Sequence, residues 1–184
     1  LARLRGKGQV GRALRAMVVG IPNVGKSTFI NQVSGRKGAK AENRPGVTRG
    51  KQWVTVGKDL LLLDTPGILW PKFEDATVGQ MLAYTGAIRD DVLDVTELAC
   101  GLAELLWQRY PDSLRSRYGV DAPASAGGWS LLEAVAARRG LRVSGGELDL
   151  DRAARILLDD FRSGRLGRFT LEEPEEADGC DGSL

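Results

Sequence analysis

The sequence predicts an α/β domain followed by a small all-α domain, and three observations carry that prediction. An apolar stretch, Ala16-Met-Val-Val19, runs into Gly20-Ile-Pro-Asn-Val-Gly-Lys-Ser-Thr28 and then into a helical segment through Val33. A second apolar stretch, Leu60-Leu-Leu-Leu63, ends in Asp64-Thr-Pro-Gly67. From Asp75 onward, apolar residues recur three and four apart, the spacing of amphipathic helices. The 184 residues suit one domain or two small ones. The divisions expected are residues 1–74 for the α/β part, 75–171 for the helical part and 172–184 for a tail.

Residues 1–15 carry Arg3, Arg5, Lys7, Arg12 and Arg15 among glycines and no acid. They read as a lead-in, either a solvated linker or a segment that contacts phosphate or RNA. The strand, loop and helix around Gly20 follow. Gly20, four residues, then Gly25-Lys26-Ser27 is the phosphate-binding P-loop pattern in its required setting, after a strand and before a helix. Glycines let the backbone approach a phosphate closely, and the loop N–H groups and helix N-terminus point at the anion. Lys26 would reach the β- and γ-phosphates and Ser27 would bind Mg²⁺. The fold expected is therefore a Rossmann-like P-loop domain.

Residues 36–50 are polar and glycine-rich and read as an exposed loop. Within it, Pro45-Gly-Val-Thr-Arg49 resembles the first switch of translation-factor-type GTPases, in which Thr48 would bind Mg²⁺ and close over the γ-phosphate. Gln52-Trp-Val-Thr-Val56 alternates like a half-buried strand, and Gly57-Lys-Asp59 turns the chain. Leu60–Leu63 has the continuous apolar character of a strand buried on both faces. The acid that ends it, with a glycine three residues on, matches the second switch: Asp64 in the Mg²⁺ shell and the Gly67 N–H at the γ-phosphate.

Taken together, Gly20–Thr28, Pro45–Thr48 and Asp64-Thr-Pro-Gly-Ile-Leu-Trp-Pro71 resemble the circularly permuted ribosome-assembly GTPases. The likeness is to the branch of ribosome biogenesis GTPase A and its organellar relatives, and it extends to Phe161–Glu172. It implies GTP or GDP held by Pro22, Asn23, Val24, Gly25, Lys26, Ser27 and Thr28 with Thr48 and Gly67. It implies catalytic parts for Lys26, Thr48 and Gly67, and Mg²⁺ on Ser27, Thr48 and Asp64. The partner implied is the large ribosomal subunit and its rRNA, gripped by the helical domain, with no DNA expected, in a cytoplasmic (or organellar matrix) monomer. Permutation has separate support. The Asn/Thr-Lys-x-Asp motif that reads guanine normally follows Asp-Thr-Pro-Gly, but here the last asparagine is Asn43 and the last lysine Lys72. The base-reading motifs would then precede Leu1, and guanine specificity rests on the resemblance.

Two positions bear on mechanism. Ile68 follows Gly67 where Ras-like proteins carry a water-orienting glutamine, so intrinsic hydrolysis should be slow. Asn23 occupies the position that potassium-activated GTPases use as an ion ligand. On residue type alone it could equally be a loop residue tolerating an unusual backbone, and the resemblance favours K⁺.

Residues 76–89, 94–110, 129–140 and 149–163 read as helices, with Pro111 stopping the second, Asp149 capping the last and Gly164 ending it. Arg138, Arg139, Arg142, Arg152, Arg155, Arg162, Arg165 and Arg168 suit phosphate recognition, though a charged solvated face is the more common meaning of such spacing. Trp107 and Trp129 read as core. The tail holds Glu172, Glu173, Glu175, Glu176, Asp178 and Asp181 without a base and is expected to be disordered. Composition, at 42% hydrophobic, 27% charged and net +2, is that of a globular domain, with neither a membrane span nor a signal peptide. No histidine is present, which removes histidine-based catalysis from these residues. Cys100 and Cys180 make neither a zinc site nor a disulfide framework. The alternatives to a switch GTPase are an RNA-binding module with an incomplete nucleotide domain, or a truncated GTPase of ordinary order of the tRNA-modification or Era-like kind.

Overall fold

The computed structural model describes residues 13–35, 50–69 and 75–172. Thr48, the first-switch loop, the Trp-Pro part of the second-switch segment, most of the basic lead-in and nearly all of the acidic tail lie outside them. The chain divides into two compact units, Leu1–Leu98 and Ala99–Leu184. The first extends past residue 75, where the sequence places the change of domain, and includes the first helix beyond it.

In the first unit the elements run β1 (Leu14–Val18), α1 (Lys26–Ser34), β2 (Gln52–Val56), β3 (Leu60–Asp64) and α2 (Ala76–Tyr84). The sheet order is β1-β3-β2. β1 pairs parallel to β3 with Val18 opposite Asp64, and β2 pairs antiparallel to β3 with Gln52 opposite Asp64. The β1–α1–β3 crossover brings the end of β1, where the glycine loop starts, beside the end of β3, where Asp64 stands. That side-by-side arrangement of parallel strand ends is where open α/β sheets bind ligands.

Strand alternation decides which residues meet α1. Ile30, Val54 and Leu62 form the buried centre, with Ala16, Val18, Val56 and Leu60 packed against it. The opposite face carries exposed Met17 and Trp53 and half-buried Leu61 and Leu63. Of the four leucines, Leu62 is buried and Leu60 half-buried on the face that α1 covers. α1 is bracketed by glycines in the left-handed region, Gly25 at φ 87° and Gly35 at φ 65°, the second ending the helix without a Cβ clash. α2 starts at Asp75, whose side chain accepts from the Thr77 N–H. It stops at Tyr84, short of the expected residue 89, because Gly86 takes φ 76°.

The second unit is helical. α3, Val95–Arg109, begins in the first unit and runs into it, and α4 Pro111–Tyr118, α5 Gly128–Arg138 and α6 Leu150–Arg162 follow. α4 is a correction. Pro111 does end α3, but it then occupies the first turn of a new helix, where its fixed φ fits and its missing N–H costs nothing. Asp149 caps α6 as expected, accepting from the Arg152 N–H at 3.0 Å. Leu102, Leu106, Leu114, Leu131, Leu132, Val135, Leu157 and Leu158 fill the core. Trp107 is core, its indole N–H donating to the Pro123 carbonyl at 2.9 Å. Trp129 is not: it is 56% exposed. It stands in the first turn of α5, where its neighbour Gly128 takes the close-packed position against the Cys100 backbone.

Asp160 is the polar hub of this unit. It is 2% exposed and accepts from Arg117 Nε at 2.8 Å, from the Tyr118 hydroxyl at 2.9 Å and from Arg165. Burial alone would push its pKa up. The hydrogen bonds from Arg117, Arg165 and Tyr118 outweigh that and bring it down to about 2. Burial, with the bond to Asp160, raises the Tyr118 pKa.

Candidate nucleotide-binding site

The site grows out of the turn between β1 and α1. Gly20 has φ 156° and Gly25 φ 87°, and between them Asn23 holds φ 62°, the one non-glycine positive φ among the described residues. Asparagine tolerates this region better than most residues. The loop's curvature brings Lys26 back over it. Lys26 Nζ donates to the Gly20 carbonyl at 3.0 Å and to the Ile21 carbonyl at 2.8 Å, so the ammonium sits at the loop's mouth. Partial burial lowers the Lys26 pKa, and the Asp64 carboxylate opposes that shift. The arrangement puts a cation next to the first-turn N–H groups of α1, the setting for an anion.

The end of β3 supplies the complementary charge. Asp64 is 1% exposed. Its Oδ2 accepts from the Ser27 hydroxyl at 2.7 Å, and its Oδ1 is the one buried side-chain polar atom without a hydrogen-bond partner among the described residues. An unpaired oxygen on a buried carboxylate is expensive, and a hydrated divalent cation would relieve it. Ser27 and Asp64 therefore fit a Mg²⁺ site in which hydroxyl and carboxylate oxygens serve a hard ion. No cluster of three or more His, Cys, Asp or Glu side chains that would make a different metal centre occurs among the described residues.

The segment after Asp64 lies on the loop. Thr65 Oγ1 donates to the Val18 carbonyl at 2.7 Å, tying the second-switch start to β1. At Gly67 a Cβ would fall 2.4 Å from Pro22 Cα and 2.5 Å from Pro22 N, so only glycine permits this approach. Ile68 is 76% exposed. Of the expected site residues, Pro22, Asn23, Val24, Gly25, Lys26, Ser27, Thr28, Asp64 and Gly67 come together around one loop, Val24 and Thr28 with exposed side chains, and Thr48 is outside the described residues. Sequence reasoning missed Gly86, whose carbonyl accepts from Asn23 Nδ2 at 3.2 Å. Its only signal was a glycine near the end of a helical pattern.

The family described as 50S ribosome-binding GTPase matches residues 15–106, half of the chain. The chain belongs to that family. Among curated relatives of this GTPase-family chain, ribosome biogenesis GTPase A of Priestia megaterium is 48% identical over 178 residues, 96% of this chain and 61% of that protein. Its namesake in Thermotoga maritima is 28% identical over 90% of this chain and 58% of that protein. The chain thus spans about three-fifths of the length of these relatives. Among solved structures, the GNP-bound YlqF from T. maritima aligns with TM-score 0.56 at 26% identity, covering 95% of this chain and 65% of that one. The GDP-bound structure of TM YlqF aligns equally well, over 94% and 66%. The matched region contains the P-loop, Asp64 and Gly67.

Proposed function

We propose that this chain carries the phosphate-binding and helical parts of a GTP-hydrolysing switch in assembly of the large ribosomal subunit. The observation that carries the reading is the Ser27–Asp64 pair at 2.7 Å with Asp64 Oδ1 left over, standing beside Lys26 at the end of two parallel strands. In this reading Lys26 and the loop N–H groups hold the β- and γ-phosphates, and Ser27, Asp64 and Thr48 hold Mg²⁺, which when bound neutralises charge on the transferred phosphoryl group. Asn23 offers an oxygen to K⁺, a charge at the place where other GTPases use an arginine finger. Gly67 senses the γ-phosphate through its N–H, and Ile68, unable to orient water, leaves the intrinsic rate slow.

Domain roles follow the same reading. The P-loop part responds to nucleotide, and the helical part, roughly residues 75–171, contacts rRNA through exposed arginines such as Arg138, Arg139, Arg142, Arg152 and Arg168. Guanine selection is supported by the names of the relatives, ribosome biogenesis GTPase A among them. Among the described residues no helix is long and apolar enough to cross a membrane.

The test is nucleotide binding and turnover by the complete protein, in K⁺ and in Na⁺, with and without 50S subunits. Mg²⁺-dependent GDP binding that ATP does not displace, lost in Lys26→Ala, with turnover raised by subunits and K⁺, is the expected result. Retained RNA binding without nucleotide binding would move the assignment to a non-enzymatic module.

A further inference from the structure

The turn that ends α2 reaches the phosphate loop across 63 residues of chain, through the bond from Asn23 Nδ2 to the Gly86 carbonyl. Helix termination fixes that carbonyl. The Gly86 N–H donates to the Ala83 carbonyl at 3.0 Å and the Ala87 N–H to the Leu82 carbonyl at 2.9 Å. These are the paired bonds of a Schellman end, which places a left-handed residue between them, and Gly86 at φ 76° is that residue. Gly86 is buried, so its carbonyl requires a partner, and Asn23 supplies it.

A backbone carbonyl only accepts. The Asn23 carboxamide can therefore meet Gly86 only through its NH₂ group. Oδ1, on the other branch of the same planar group, is then turned away from Gly86, and Asn23 is an exposed residue. An asparagine amide left to itself rotates through two broad, roughly equivalent orientations, one presenting nitrogen and one oxygen. The bond to Gly86 selects one of them. An alkali cation needs the oxygen, and the NH₂ end would repel it.

We propose that Gly86 is a positioning residue for the cation site, its carbonyl fixing the Asn23 carboxamide so that Oδ1 is the atom presented to the ion. This rests on Asn23 being the K⁺ ligand, the reading given above. It also ties the state of the phosphate loop to the end of α2, since loss of the ion's oxygen and loss of the turn's partner are one rotation of one side chain.

The experiment is release of a fluorescent GDP analogue from the complete protein at fixed Mg²⁺, in K⁺ and in Na⁺, for the wild type, Gly86→Ala, Asn23→Ala and the double variant. The wild type is expected to release more slowly in K⁺. Gly86→Ala keeps the carbonyl but strains the φ of 76° that aims it, and should shrink the K⁺/Na⁺ ratio by up to roughly tenfold, the scale of one neutral hydrogen bond, with little change in Na⁺. Asn23→Ala should abolish the ratio, and Gly86→Ala should add nothing to it. A merely loosened fold would change both rates alike and leave the ratio intact, overturning the inference while the K⁺ reading stands. A wild-type ratio of one removes the K⁺ reading and the inference with it. A second measurement leaves Gly86 untouched: the Asn23 side-chain amide signals in ¹H–¹⁵N spectra, assigned with Asn23→Ala, should move on adding K⁺ and not Na⁺. Signals insensitive to K⁺ overturn the proposal.

Discussion

Asp64→Asn separates the cost of the buried carboxylate from its use. One oxygen accepts from Ser27 and the other has no partner, in a side chain that is 1% exposed. A hydrogen bond to a charged acceptor contributes about 1.5–3 kcal/mol and a neutral one about 1 kcal/mol. Asparagine keeps an oxygen for Ser27 and so loses on the order of 1 kcal/mol there. An unpaired buried polar atom costs about 1–3 kcal/mol, and more when charged, and the substitution removes the charge. The amide NH₂ that replaces Oδ1 keeps a smaller, neutral penalty, and the attraction to Lys26 is lost, so the metal-free protein should stay within about 2 kcal/mol of the wild type. For a chain of this length that is a shift in Tm of at most about 8 °C. With Mg²⁺ and GDP the wild type should pull ahead, because it gains ligand-linked stability that the neutral amide cannot provide. The assay is thermal unfolding by circular dichroism, first in EDTA and then with GDP while Mg²⁺ is titrated. If Asp64→Asn is less stable than the wild type by more than about 2 kcal/mol in EDTA and keeps the Mg²⁺-dependent gain, the carboxylate is a structural partner of Ser27 and the metal argument is wrong.

Other consequences can be checked alongside. Gly67→Ala would place a methyl 2.4 Å from Pro22 Cα, against backbone. The second-switch segment must then move by about 1 Å, a misplacement that costs about 10²-fold in a positioned reaction. Single-turnover GTP hydrolysis should fall by that order while GDP affinity holds, and an unchanged rate would mean Gly67 does not act at the γ-phosphate. Asp160 has a pKa of about 2 in the folded chain against an ordinary 3.8. A carboxylate depressed by folding stabilises fully above the ordinary value and loses that contribution as pH falls through 3.8 toward 2, a loss of about 2 kcal/mol. Acid unfolding should be shallower in Asp160→Asn, which is less stable at pH 7 already; identical acid limbs would refute the hub. Gly128→Ala would put a Cβ 2.3 Å from the Cys100 carbonyl oxygen, forcing α3 and α5 apart. Denaturant unfolding should register about 1–3 kcal/mol of overpacking, and a neutral result would contradict the close crossing.

What the sequence revealed was what short spacing controls. The P-loop, its flanking strand and helix, β2 and the acid ending β3 are each written within about ten residues, where residue type and backbone conformation constrain each other directly. The reading went astray where a local sign has two meanings. Pro111 terminates one helix and begins another with equal ease, and only packing of Leu114 and Tyr118 into the core makes the second outcome happen. Trp129 lies on a helix with good apolar spacing, but the interior position beside Cys100 admits only the side chain of Gly128, so the larger neighbour is left outside. The four leucines of β3 are alike in sequence, and α1 covers only the face that Leu60 and Leu62 share.

Long-range pairing was out of reach for a different reason. A count of arginines treats each as a free cation, yet Arg117 and Arg165 converge on Asp160, Arg155 pairs with Asp151 and Arg109 donates to the Leu171 carbonyl. Those guanidiniums stabilise the helical unit, and phosphate contacts drawn from them would have to break that structure. The rRNA reading therefore weighs most on Arg138 at the end of α5 and Arg152 in the first turn of α6, both exposed, since Arg139 lies over the ring of Tyr118 in the hub. In the same way, Asn23 and Gly86 each have an ordinary local explanation, a tight loop and a helix end. Their pairing exists only because the fold sets the donor of one against the acceptor of the other, and the cation proposal rests on that contact.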